Sequence, residues 1–352
     1  MKLYENELYK EDLNYIASLP LPWELLKNSS ILITGATGQI GSMFIDVIMN
    51  KNNTNSLNCK IIALSRNEEK IINRFSEYNN NPYFSYICSD VNFPINISNQ
   101  KIDYIIHLAS NTHPLLYSNE PISTITTNII GLKNLLDFGV ISEAKRCIFC
   151  SSNEIYGENR GDTETFSEDY CGYINCNTLR AAYTESKRCG EALCQAYIKE
   201  KNLDIVIPRI TRTYGPTLLN TDSKALSQFI KKAMSNENIV LKSDGKQFYS
   251  YLYITDTVSG LFTILLKGQT GEAYNISDAK SNITLKELAE YIAKLRNSKV
   301  IFEIPDKNES LGYSKVTKAL LNNCKLKQIG WNAKYDIYTG IERTLQILES
   351  IQ

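Results

Sequence analysis

At 352 residues, 43% of them hydrophobic, the chain can bury the core of one large domain or of two closely packed ones. Its 38 Lys and Arg balance 38 Asp and Glu, which excludes a broad basic face for nucleic acid or anionic membrane while leaving room for a local basic pocket. No apolar run approaches the ~20 residues that span a bilayer, and the acid-studded start MKLYENELYKEDLNYIASL lacks the apolar centre of a signal peptide. The expectation is a cytoplasmic protein that binds neither nucleic acid nor membrane.

Residues 1–28 read as an extension whose Leu8, Leu13 and Ile16 form an amphipathic stripe that docks on the core. Beyond it, short apolar runs alternate with amphipathic stretches, the pattern of βαβ units. Strands are expected at Ile31–Thr34, Lys60–Ser65, Tyr83–Cys88, Tyr104–Ala109, Cys147–Ser151 and Ile205–Arg209, and helices at Ile40–Met49, Glu68–Tyr78, Pro121–Phe138 and Ala181–Lys201. Asparagine-rich connectors at 50–58 and 79–82 mark surface loops. After about residue 210 the pattern mixes helices (Lys224–Ser235, Thr257–Leu266, Leu285–Leu295, Tyr338–Ile351) with isolated strands (Ile239–Lys242, Ala273–Ile276, Val300–Ile304). The fold expected is α/β, a Rossmann-type doubly wound parallel sheet over 29–210 that carries the catalytic residues. A smaller α+β lobe over 211–352, mainly for substrate, covers the carboxyl ends of its strands, with a crossing of the chain back to the sheet left open.

Nine cysteines, an odd number without a secretory signal, read as reduced buried thiols. Cys147 and Cys150 form a CxxC that invites a metal or redox reading. On a strand, positions three apart face opposite ways, so core packing is the expectation. With two histidines, His107 and His113, a multi-histidine metal site is excluded, and no metal is expected.

In ILITGATGQIGSMFIDVI, Gly35, Gly38 and Gly41 follow a buried strand and open a helix. Gly35 permits the tight turn, Gly38 lets backbone approach a pyrophosphate, and Gly41 lets helix and strand pack closely. Thr37, Gln39 and Ile40 lie at the helix N-terminus, whose free N–H groups suit phosphate; a plain turn is the alternative. The second strand ends IIALSRNEEK, with no acid to accept from a ribose 2′-OH. Ser65 and Arg66 instead suit a 2′-phosphate, favouring NADP over NAD, unless Arg66 stacks on adenine or faces solvent. Asp90 and Val91, beyond the third strand, are placed at the adenine edge.

Tyr183-Thr-Glu-Ser-Lys187 is a YxxxK on a predicted helix, which puts both side chains on one face. A phenol near pKa 10 is a poor base at neutral pH. A lysine ammonium beside it and an oxidised nicotinamide above would favour the phenolate. Ser152, at the carboxyl end of the fifth strand, can bond to the reacting oxygen. Glu154 is the candidate for a second acid or base, with a solvated loop glutamate as the alternative.

These segments together resemble the NAD-dependent epimerase/dehydratase family of nucleotide-sugar enzymes, the extended short-chain dehydrogenases. The resemblance covers most of 30–345 and rests on TGATGQIG (34–41), HLAS (107–110), TNIIG (127–131), SSNEIYG (151–157), YTESK (183–187), RTYGP (212–216) and YITD (253–256). Within the family the run from His107 to Gly131, with Pro114, Tyr117, Pro121 and Asn128, is similar to that of UDP-glucuronate decarboxylases. Arg180, three residues before Tyr183, is similar too, and occurs also in GDP-mannose 4,6-dehydratases. The resemblance implies Leu108, Ala109, Ser110 and Asn128 at the dinucleotide with Tyr183 and Lys187. It implies Asn111, Tyr117, Asn153 and Arg180 at the sugar nucleotide, with Arg212, Lys224 and Tyr249 nearby. It further implies removal of the sugar 4-OH proton by Tyr183, assisted by Ser152 and Lys187, as hydride leaves C4. The resulting ketone would lose a C6 carboxylate as CO2, or be dehydrated with Glu154 as base. A 4-epimerase, an NADPH-consuming reductase and an idle binding protein are the other readings. The helices at 121–138 and 181–201 match those that pair across a homodimer in such enzymes, and cell-surface polysaccharide synthesis is the usual setting.

Three positions depart from the pattern. Asn153 stands where dTDP-glucose dehydratases carry an acidic aspartate. Tyr249 stands four residues before the YxxD tyrosine, where an arginine is usual, and Arg212 replaces the asparagine of NxYGP. The expectation drawn from this exchange is that Arg212 or Lys224 supplies the displaced positive charge, a surface arginine being the alternative.

Overall fold

Runs of Val, Ile and Leu unbroken by polar residues belong to strands buried on both faces, and the chain uses them to build one parallel sheet. The computed structural model describes residues 2–97, 101–112, 119–303 and 316–351. Its principal strands are β1 (Ser30–Thr34), β2 (Lys60–Ser65), β3 (Phe84–Cys88), β4 (Tyr104–His107), β5 (Arg146–Phe149), β6 (Ser151–Ser152) and β7 (Ile205–Ile210). With Ala273–Ile276 they form the order β3-β2-β1-β4-β5-β7-(273–276), all parallel, and β6 continues β5 against β7. Alternate residues enter two separate apolar clusters: Ile31, Ile33, Ile106 and Ile148 on one face, Leu32, Ile105, Cys147 and Phe149 on the other. Cys147 and Cys150 fall in different clusters, and burial pushes both thiols up to about 12, as inert core cysteines should be. Strand order reverses between β1 and β4, so the crevice at their carboxyl ends is where ligands collect in such sheets.

Ala273–Ile276, expected as an isolated strand of a second lobe, instead pairs with β7 at the edge of this sheet. The helix before it, Ile254–Lys267, buries every residue from Ile254 to Leu266. A smaller sheet has a separate plan. Phe248–Tyr253 lies at its centre, antiparallel to Asn282–Thr284 and parallel to Arg212–Tyr214 and Lys318–Ala319. These segments are too short, and too rich in tyrosine, to carry a periodic signal. Ile239–Leu241 pairs with Val300–Phe302.

Two helices differ from expectation for local reasons. α2 (Gln39–Asn55) runs on through the asparagine-rich connector. Asn52 there is buried and exchanges hydrogen bonds with the Cys59 backbone at 2.8 and 2.9 Å, which satisfies its amide inside the fold. The expected helix 121–138 divides into Pro121–Thr126, a π turn Thr127–Gly131 and Leu132–Ile141. The wider turn carries Asn128 into the interior, fully buried.

The amino-terminal helix α1 (Glu7–Ser18) buries Tyr9, Asp12, Leu13, Ile16 and Ala17. Asp12, with no exposed surface, accepts from Tyr253 Oη (2.7 Å), Tyr335 Oη (2.8 Å) and Arg343 Nε (2.9 Å). One carboxylate therefore ties α1 to two distant stretches of chain. Its loss would take the acceptor from the buried Tyr253 hydroxyl and from the part-buried Tyr335 hydroxyl, and leave Arg343 with the Leu8 carbonyl and Glu11 as its remaining partners. Asp12→Ala is expected to lower unfolding free energy by roughly 3–5 kcal/mol in denaturant melts; a change under about 1 kcal/mol, the size of an exposed ion pair, would show that the cluster is not structural.

Candidate active site

Gly35 leaves β1 with φ +66°, and a Cβ there would lie 2.8 Å from the backbone of Leu108 and Ala109. The turn closes against the end of β4 only because that side chain is missing. A Cβ on Gly41 would sit 2.5 Å from the Gly35 carbonyl oxygen, so glycine also sets how closely α2 approaches β1. Gly38 precedes α2, and no side chain caps its first turn. The amides of Gln39 and Ile40 are thereby left to an outside anion, which fits a dinucleotide pyrophosphate. Around this turn the Thr37 and Ser65 hydroxyls are 3.5 Å apart. The Arg66 side chain, 60% exposed, reaches to within 3.9 Å of Asp90, and buried Val91 fills the space beside Gly131.

At the end of β4, His107 Nδ1 lies 2.8 Å from Thr34 Oγ1, which accepts from the Ala109 amide at 3.2 Å. Burial, helped by the Lys187 charge, lowers the His107 pKa to about 3, so this imidazole is a neutral structural brace. Ser110 Oγ donates to Asn128 Oδ1 (2.8 Å), and Asn128 Nδ2 donates to Ser186 Oγ (2.9 Å). Asn128 thus joins the HLAS segment to the YTESK helix from within. Asn111 donates from its amide to Thr124 Oγ1 at 3.3 Å. Tyr117, with His113 and Pro114, lies outside the described residues.

Ser152 ends the β5–β6 strand with its hydroxyl accepting from the Glu154 amide at 3.2 Å and hydrogen-bonded to the Tyr183 phenol. Tyr183 and Lys187 follow one another on the inner face of helix Ala181–Lys201, both buried. Burial pushes the phenol up to about 12; the bond to Ser152 pulls it down, Glu154 pushes it up and Arg180 pulls it down. Lys187 Nζ donates to the Cys150 carbonyl at 2.8 Å and stands 5.9 Å from the Tyr183 ring centre; burial lowers it to about 8. Glu154 is no solvated loop residue, since Arg180 NH2 holds its Oε2 at 2.5 Å. The protein therefore sets a phenol, a hydroxyl, an ammonium and an arginine-held carboxylate together. Such a set can move one proton at a hydroxyl oxygen and another at a neighbouring atom.

Asn153 faces the smaller sheet. With each end of its amide set against its complement, Nδ2 donates to the Ile210 carbonyl (3.3 Å) and Oδ1 accepts from Arg212 NH1 (3.0 Å). The Arg212 guanidinium lies 3.6 Å from the centre of the Tyr249 ring, close enough for a strong cation–π contact. The two positions that depart from the family pattern are thus in contact with one another. Lys224 has its charge engaged by Asp222 at 3.5 Å. Two residues escaped the sequence reading. Ser186, one turn from Tyr183 on the same helix, could have been found from its spacing. Thr217, whose hydroxyl donates to the Gln39 carbonyl at 2.9 Å, tethers the chain after RTYGP to the glycine turn and left no local signal.

The family model described as "NAD dependent epimerase/dehydratase family" matches residues 31–277. UDP-glucuronic acid decarboxylase 6 of Arabidopsis thaliana is 31% identical over 314 residues, 89% of this chain and 87% of that protein. UDP-glucuronic acid decarboxylase 1 of Xenopus tropicalis is 29% identical, covering 90% of this chain and 71% of that one. Among solved structures, dTDP-glucose 4,6-dehydratase of Bacillus anthracis with NAD superposes with TM-score 0.76 at 24% identity, over 92% of this chain and 97% of that chain. UDP-glucuronic acid 4-epimerase of Bacillus cereus, with UDP-glucuronic acid and NAD, gives 0.77 at 21% identity, over 92% and 100%. At those identities the structural likeness is one of fold.

Proposed function

The chain belongs to the NAD dependent epimerase/dehydratase family, and from that membership we propose that it decarboxylates a nucleoside-diphosphate glucuronate through a transient ketone at C4. The observation that carries the reading is the hydrogen-bonded Ser152–Tyr183 pair with Lys187 one turn on, its helix linked through Asn128 to the HLAS segment that packs on the glycine turn. The names of the relatives at about 30% identity favour a uronate as the sugar. When bound, a nicotinamide dinucleotide supplies the hydride acceptor and donor at C4. The chain supplies the rest. Tyr183 takes the 4-OH proton, Ser152 holds the same oxygen, and Lys187 keeps positive charge near the phenolate. Loss of CO2 from the β-keto acid leaves an enolate, and the proton that C5 then needs comes from solvent, relayed through the Glu154 carboxylate. Glu154 also supports a second reading, 4,6-dehydration, in which it would remove the C5 proton instead.

Ser65 and Arg66 at the end of β2, where no acid stands, favour NADP over NAD as the resident dinucleotide. Denaturing purified protein and identifying the released dinucleotide tests this, and recovery of NAD alone would overturn it. Incubation with UDP-glucuronate is expected to release one CO2 per sugar with no net change in dinucleotide redox state. Uronate retained and inverted at C4 would mark an epimerase, water lost from a neutral hexose a dehydratase, and stoichiometric NADPH oxidation a reductase.

Ile122, Ile125 and Ile130 stand 77%, 40% and 44% exposed on the 121–131 stretch, and the neighbouring helix exposes Cys189, Ala192 and Ala196. Small residues beside an apolar row allow close helix approach, and a second copy of the chain is the proposed cover. Light scattering of the purified protein should give twice the chain mass; a monomer at micromolar concentration would rule it out. Cys88, Cys171, Cys176, Cys189 and Cys324, expected to be buried, are instead free thiols on the surface, which suits a reducing compartment such as the cytoplasm. Supply of pentose units for surface polysaccharide is the setting this chemistry fits.

A further inference from the structure

Resting on the proposed reaction, we infer that Arg212 is the residue that recognises the C6 carboxylate of the substrate and so selects a nucleotide-uronate over the corresponding neutral sugar.

Ser152 is bonded to the Tyr183 phenol, so the sugar's reacting C4 oxygen must come to that pair. Asn153 is the next residue, and Arg212 is one hydrogen bond beyond it at 3.0 Å. In a pyranose the diphosphate is attached at C1, across the ring from C4, whereas C6 hangs on C5, the neighbour of C4. A cation held two steps from the C4 machinery therefore meets the C6 substituent and not the diphosphate. Of the groups near C4, the C6 position alone can bear a charge.

The electrostatics agree. Glu154, the nearest carboxylate along the chain, is taken by Arg180, and among the described residues no carboxylate forms an ion pair with Arg212. Its partners are a neutral amide and a tyrosine face. Both hold the guanidinium plane in place without neutralising it, and Tyr249 is itself fixed by donating to the Val316 carbonyl at 2.5 Å. A planar, oriented guanidinium of this kind is suited to a bidentate carboxylate. The pairing also has a kinetic signature. As CO2 departs, negative charge moves from the carboxylate to the C4 oxygen, so Arg212 binds the ground state more strongly than the transition state. Its removal should raise KM for the uronate without lowering kcat.

Calorimetric binding of UDP-glucuronate and UDP-glucose, in a Tyr183→Phe background that prevents turnover, tests the assignment. The parent should prefer UDP-glucuronate by about tenfold or more, and adding Arg212→Gln should weaken UDP-glucuronate by roughly 10–100-fold while leaving UDP-glucose within about twofold. Arg212→Lys, which keeps the charge and loses the fork, should fall between the two and stands in if the Gln variant does not fold. Equal weakening of both sugars would place Arg212 at the diphosphate, and no change in either would make it structural; each result overturns the inference while leaving the proposed function standing. Binding of neither sugar by the parent protein would overturn the proposed function itself, and this inference with it.

Discussion

Turnover of the Tyr183→Phe protein is expected to fall roughly 10²–10⁴-fold, the range for loss of a positioned general base, while nucleotide-sugar affinity stays close to that of the parent. A single oxygen is removed from a ring that remains buried. Single-turnover mixing with UDP-glucuronate checks this directly, and undiminished oxidation at C4 would overturn the assignment of Tyr183 as the base. The cause has its own test. In the protein alone, burial holds the phenol at about 12, and Lys187, bonded to the Cys150 carbonyl, is lowered to about 8. Neither group by itself gives a phenolate at neutral pH. The remaining decrease must come from a further positive charge, which an oxidised nicotinamide carries. Phenolate absorbance titrated against a Tyr183→Phe blank should therefore show a midpoint near 12 without dinucleotide and a lower one with it. The sign for Lys187 is opposite: its charge is present below about 8 and lost above it, so activity should decline as pH rises through that value.

Local patterns were legible in the sequence because their physics is local. The glycine triad announces a turn that only glycine can make, as the contacts at Gly35 and Gly41 bear out. The Tyr183–Lys187 spacing fixes a shared helix face whatever surrounds it. Two apolar faces per strand foretold a sheet covered on both sides. The pairing of residues far apart in sequence was not legible. Arg180 and Glu154 are 26 positions apart, and nothing in either segment says that one will hold the other. The contact of Arg212 with Tyr249 depends on Arg212–Tyr214 lying beside Phe248–Tyr253 in a sheet of strands too short to detect. The π turn at Thr127–Gly131 has a helical composition, and only the burial of Asn128 between Ser110 and Ser186 explains the extra residue. Ala273–Ile276 reads as a strand in any sheet; its place at the edge of the large one comes from the chain's return through Ile254–Lys267.

Glu154→Gln separates the two lyase readings more sharply than any other single change. The amide oxygen can still accept from Arg180, so the loop that carries it is preserved, but the group can no longer take up or release a proton. Oxidation at C4 depends on Ser152 and Tyr183 and should continue, so the absorbance of reduced dinucleotide should appear on mixing, in contrast to the Tyr183→Phe protein. The fate of the ketone then depends on the substituent at C6 of the sugar. A β-keto acid loses CO2 without help from a base, so one equivalent of CO2 per site should be released before the reaction stalls at reprotonation of C5. Overall turnover should then drop by roughly 10²–10⁴-fold. In dehydration the same glutamate must act before the leaving group departs, so the variant would hold an intact ketone and release nothing. A burst of CO2 with the Gln variant supports decarboxylation with Glu154 as the C5 acid. Full steady-state turnover would remove Glu154 from the chemistry and leave its bond to Arg180 as architecture alone.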